Sequence, residues 1–60
     1  MKVRDAIKAL EHDGWRLDRQ TGSRRQYRHP ERPGTVTVAG KVSDEVPKGT
    51  LASILRQAGR

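Results

Sequence analysis

The chain is predicted to fold as an α+β domain in the order helix-strand-strand-strand-helix. Its three strands form an antiparallel sheet, with both helices on one face. Three observations predict this. Val3, Ala6, Ile7 and Leu10, and again Leu51, Ile54, Leu55 and Ala58, fall at i, i+3, i+4 and i+7, the spacing of one apolar stripe on a helix. Between them, Trp15–Arg19, Arg24–His29 and Thr35–Ala39 show the two-residue alternation of strands. The connections between those runs are short and rich in glycine or proline, which implies a meander of sequential hairpins. Two apolar helix stripes and one apolar sheet face make a two-layer domain.

The first helix carries its stripe on an otherwise mostly polar circumference and is expected to stop at Gly14, a natural left-handed residue just past a helix end. His12 lies in its last turn, where a cation suits the helix dipole. The next run, Trp15-Arg16-Leu17-Asp18-Arg19, alternates so that Trp15 and Leu17 point inward, and Trp15 is expected to pack the helix onto the sheet. Gln20-Thr21-Gly22-Ser23 is a hairpin connection in which Gly22 supplies a positive φ. In the strand that follows, Arg25, Tyr27 and His29 share one face, and Arg24, Gln26 and Arg28 share the other. The second of these faces is wholly polar and expected to be exposed. Pro30-Glu31-Arg32-Pro33-Gly34 turns the chain into the clearest strand, where Val36 and Val38 face the core. Residues 40–49 have no periodicity; Val42 and Val46 are expected to pin this segment down. Gly49 or Thr50 is the expected N-cap of the last helix, and Gly59 its stop.

Sixty residues make one domain, expected to span residues 1–60, and so short a chain buries only about 60% of its unfolded surface. The absence of cysteine excludes a disulfide framework and a cysteine metal site. The charged N-terminus has no apolar core or cleavage pattern of a leader, and no apolar run approaches the ~20 residues of a membrane helix, so a mature cytoplasmic protein is expected. Thirteen Lys and Arg against seven Asp and Glu leave a formal charge of +6, which favours a polyanionic partner, nucleic acid first.

Few catalytic constellations fit. The two histidines, seventeen residues apart without cysteine, make no zinc site, and there is no Walker-type glycine loop. The carboxylates are scattered, so neither paired-acid hydrolysis nor two-metal chemistry is supported, and no cofactor is expected. What remains is a basic strand face beside a glycine turn. Arginines bind phosphate bidentately. Metal-independent RNA cleavage needs such a surface plus a group that takes a proton from the 2′-hydroxyl or gives one to the leaving oxygen, a task suited to histidine.

Gly22-Ser23, Tyr27, His29-Pro30, the valine strand, and Lys48-Gly49-Thr50-Leu51 with Ile54-Leu55-Arg56-Gln57-Ala58-Gly59 together resemble the HicA toxin family over nearly the whole chain. The resemblance implies a fold similar to the double-stranded-RNA-binding domain and the activity of an mRNA interferase in a type II toxin–antitoxin pair, neutralised by a HicB-type antitoxin that covers the active face. It also implies a catalytic histidine directly after Gly-Ser. Here that position is Arg24. Arginine stays protonated at any physiological pH and cannot act as a general base, though it can hold a phosphate. The expected chain is therefore a catalytically impaired HicA-type endoribonuclease, with Gly22, Ser23, Arg25, Gln26, Arg28 and Lys41 contacting RNA around Arg24. His29 lies five residues on, about 16 Å along the strand and on its other face, and is expected to hold structure rather than replace the missing histidine. Two other readings use the same surface: a non-catalytic RNA-binding module, and a face that chiefly docks an acidic antitoxin.

Overall fold

The computed structural model describes residues 1–59. It contains α1 (Val3–His12), β1 (Arg16–Thr21), β2 (Arg24–Arg28), β3 (Thr35–Val38) and α2 (Lys48–Gln57), the order expected from the sequence. The strands form one antiparallel sheet in the order β1-β2-β3. Both apolar stripes meet the sheet in one cluster: Val3, Ala6 and Leu10 of α1, Ile54 and Ala58 at α2, Tyr27, Val36 and Val38 of the sheet, with Trp15 and Val46. Trp15 is 1% exposed and joins the end of α1 to this cluster.

Two-residue hairpin geometry sets the first register. Thr21 pairs with Arg24 across Gly22-Ser23. Gly22 has φ 59° and Ser23 is not in the positive-φ region, the sign pattern of a type II′ turn, whose twist matches that of the flanking strands. Because Gly22 opens the loop, β2 begins immediately at Arg24.

Three expectations are corrected. Leu17 pairs with Tyr27, so it lies on the core-facing side of the sheet. It is nonetheless 49% exposed: no residue of β1 is buried, whereas β3, the other edge strand, lies against α2 and buries Val36 and Val38. Val42 is 47% exposed, so its side chain does not anchor the 40–49 segment. Its backbone does: the Val42 and Asp44 carbonyls accept from the N–H groups of Arg4 and Val3 at 3.1 and 2.8 Å. These are first-turn donors of α1 that lack helical acceptors. Finally, α2 begins at Lys48 with Pro47 as N-cap rather than at Gly49 or Thr50, and the Leu51 N–H bonds the Pro47 carbonyl at 2.8 Å. Proline's fixed φ, here −58°, suits that entry.

The same loop is tied to the N-terminal segment. Lys2 bridges Glu45 in an isolated antiparallel pair, and its Nζ lies 3.0 Å from Glu45 Oε1. Hydrogen bonds from Lys2 and the N-terminal ammonium hold the Glu45 carboxyl below its ordinary pKa. At the other end, α2 closes the free edge of β3: the Thr37 N–H donates to Gln57 Oε1 at 3.4 Å. Arg32, in the β2–β3 connection, donates from Nη1 to the Ala58 carbonyl at 3.1 Å and satisfies a helix-end acceptor.

The positions of Trp15 and Leu17 give a direct test. Trp15→Ala is expected to cost about 3–5 kcal/mol as a core truncation. Leu17→Ala is expected to stay within about 0.5 kcal/mol, as surface changes do. Urea unfolding of both variants checks this, and a loss above about 2 kcal/mol for Leu17→Ala would return that residue to the core.

Candidate nucleic-acid interface

The alternation of β2 divides its side chains by chemistry. Tyr27 is 2% exposed and packs in the core. Burial pushes its phenol above the ordinary pKa, Glu11 adds to the rise and Arg25 opposes it. A phenol moved further from neutrality is a poorer base at physiological pH. Arg25 shares that face and is half-buried. Its Nη1 donates to the Gly40 carbonyl at 2.9 Å and, more weakly, to the Ser23 carbonyl at 3.4 Å. It thereby ties the β1–β2 turn to the end of β3, and does not lie with Arg24, Gln26 and Arg28.

His29 follows β2 and is fully engaged. Its Nδ1 accepts from the Glu31 N–H at 3.0 Å, and its Nε2 lies 2.9 Å from the Asp13 carbonyl. Since Nδ1 is the acceptor, the ring proton belongs on Nε2, where it is donated to Asp13. The ring also meets Trp15 edge-on, with centroids 5.3 Å apart and planes at 67°. One imidazole thus joins the β2–β3 turn, the end of α1 and the core tryptophan. Gly14 makes room for it: a Cβ there would sit 2.8 Å from Nε2.

The opposite face of β2 holds Arg24 and Arg28, both exposed, and half-buried Gln26. Arg24 is the first residue of the strand, directly after the Gly22-Ser23 turn. Among the described residues, neither guanidinium has a hydrogen-bond or ion-pair partner. Lys41 is exposed in the segment after β3, next to the Gly40 carbonyl that Arg25 binds; its own N–H donates to Asp44 Oδ2 at 3.1 Å. Gly22 and Ser23 are both exposed. The structure therefore gathers Arg24, Gln26, Arg28 and the turn on one surface, and sets Arg25 apart from it.

The sheet adds residues that strand alternation in the sequence did not single out. Arg28 pairs with Arg16 and Thr35, Gln26 with Arg19 and Thr37, and Arg24 with Thr21. Directly paired residues share a face, so Arg16 and Arg19 stand beside Arg24 and Arg28. Arg19 arrives there through an irregularity: the register steps from Leu17↔Tyr27 to Arg19↔Gln26 and leaves Asp18 unpaired. Simple alternation would set Asp18 opposite Gln26 and turn Arg19 to the core side. The bulge reverses this assignment. None of these paired residues on the outer face is buried.

A family model described as the HicA toxin of bacterial toxin–antitoxin systems matches residues 3–59. No curated protein matches the chain significantly.

Proposed function

The chain belongs to the HicA toxin family, the toxins of bacterial toxin–antitoxin pairs, and from that premise we propose that it is an RNA-directed toxin of the mRNA-interferase type whose catalytic group has been replaced at Arg24. Residues 1–60 act as a single HicA-like domain. The observation that carries this reading is the position of Arg24: it heads β2 directly after the Gly22-Ser23 turn, exposed and without a protein partner among the described residues, on a face lined by arginine. In cleavage without a metal, the 2′-oxygen attacks the adjacent phosphorus and the 5′-oxygen leaves. The 2′-hydroxyl proton must be taken up and the leaving oxygen protonated. Arg24, Arg28 and Gln26 suit the phosphate and its developing charge. None of them accepts a proton at neutral pH, and His29, just past the other end of β2, has both ring nitrogens committed to backbone groups. RNA binding thus survives while proton transfer is lost. The natural setting is the cytoplasm, where mRNA is the substrate.

The partner is a HicB-type antitoxin with an acidic surface that covers this face, inhibiting by occlusion. Co-expression of the two proteins tests it. The antitoxin is expected to copurify with the chain and to displace a bound labelled oligoribonucleotide. A ternary complex in which RNA and antitoxin bind together would rule out occlusion. Recovery of RNA with no antitoxin would favour a free-standing RNA-binding module.

A further inference from the structure

Resting on the RNA-binding reading above, we propose that Arg16 and Arg19 of β1 are phosphate ligands, completing with Arg24 and Arg28 a four-arginine face that grips the polynucleotide backbone without reading its bases. The register sets Arg16 opposite Arg28 and Arg19 opposite Gln26. The bulge at Asp18 is what brings Arg19, rather than a carboxylate, beside Gln26. All four arginines are exposed, and among the described residues none has an ion-pair or hydrogen-bond partner. Four unpartnered guanidiniums on one small surface of a chain with a formal charge of +6 repel one another, and a polyanion relieves that repulsion. Alternate residues on a strand lie about 6.6 Å apart, neighbouring strands about 4.8 Å. This grid is comparable to the spacing of successive phosphates, so adjacent phosphates can be held at once.

The occupant is further defined by what lines the face. The chain has one Trp, one Tyr and no Phe, and Trp15 and Tyr27 are 1% and 2% exposed, both within the core. The face therefore has no aromatic platform of the kind on which single-stranded binders stack bases. Its remaining residues, Gln26, Thr21, Thr35 and Thr37, offer short hydrogen-bonding groups suited to phosphate and ribose hydroxyls. Contacts of this kind position a nucleic acid and carry no sequence information.

The test is salt-dependent binding of the full-length chain to labelled oligouridylate and oligoadenylate of equal length. Arg16→Ala and Arg19→Ala are each expected to weaken binding about tenfold at low salt and to reduce the slope of log K against log salt by about 0.7 for a single strand. Arg19→Lys should keep the slope, since it keeps the charge, and Lys8→Ala, on the exposed side of α1, should leave it unchanged. The two homopolymers should bind within about threefold of each other, as backbone recognition requires. Failure of the parent chain to bind either RNA would sink the functional reading itself. Parent binding with unchanged slopes in both β1 variants would overturn this inference alone. Slope losses accompanied by a preference above about tenfold for one homopolymer would show base readout and overturn its sequence-independent part. Binding of an acidic protein but no RNA would reassign the face to protein docking.

Discussion

Arg24→His is expected to convert the chain into an active ribonuclease. A well-placed general acid or base contributes about 10²- to 10⁴-fold to rate, so the variant should cut RNA at least that much faster than the parent and arrest growth when expressed without antitoxin. Arg24 is exposed at the head of β2, and among the described residues its side chain makes no hydrogen bond or ion pair that the change would remove. The new imidazole must be neutral to accept the 2′-hydroxyl proton. The rate should therefore rise with pH through about 6.5, the ordinary histidine value, and then level off. Arg24→Ala separates chemistry from binding: it should leave the RNA uncut and weaken its binding, as expected when a phosphate ligand is removed. If Arg24→His binds RNA, stays folded and still leaves it intact across that pH range, the position is not the catalytic one.

Gly14→Ala should be the most destabilising of the Gly→Ala changes, since only there would the added Cβ meet another atom under 3.0 Å. Gly14 has φ 96°, a conformation L-residues rarely adopt, and an added Cβ would lie 2.8 Å from His29 Nε2 and 3.4 Å from its Cδ2. The backbone term alone is about 1–2 kcal/mol. The ring must also move, which gives up its hydrogen bond to Asp13, about 0.5–1.5 kcal/mol, and disturbs its contact with Trp15. A loss of about 3 kcal/mol is expected, a large part of the ~3–9 kcal/mol typical of a domain this size. At about 4–8 °C per kcal/mol, the melting temperature should fall by more than about 10 °C. Two comparisons isolate the cause. Gly22→Ala faces the same backbone penalty at φ 59° but meets nothing within 4 Å, so it should cost only the backbone term. Adding His29→Ala to Gly14→Ala should be much less than additive, because the steric conflict goes with the ring. An additive double variant would show that the ring is not what Gly14 accommodates.

The features behind these expectations are legible in the sequence to different degrees. The two faces of β2 follow from alternation, and Tyr27 and Val36 are buried as that pattern requires. The position of Arg24 at the head of β2 is readable because a glycine-led two-residue loop leaves little choice of register. Alternation places Arg25 on the inner face but does not show it as a strut to the Gly40 carbonyl, since its acceptor is fifteen residues away. The roles of Gly14 and His29 are visible separately, as helix stop and strand end. That one exists partly to make room for the other depends on how α1 closes over the β2–β3 turn, which no local pattern encodes.

By itself the sequence determined the element order, the apolar stripes, the polar face of β2 and the place of Arg24 directly after the Gly22-Ser23 turn, because periodicity and backbone restrictions act over a few residues. Only the tertiary structure decided three things. Leu17 is exposed because the core cluster is built over β2 and β3, with α2 against β3, and includes no residue of β1. The aperiodic 42–44 backbone caps α1 because the first-turn N–H groups of a helix need acceptors from elsewhere. The bulge at Asp18 turns Arg19 to the arginine face because pairing with β2, not alternation within β1, sets which way each side chain points.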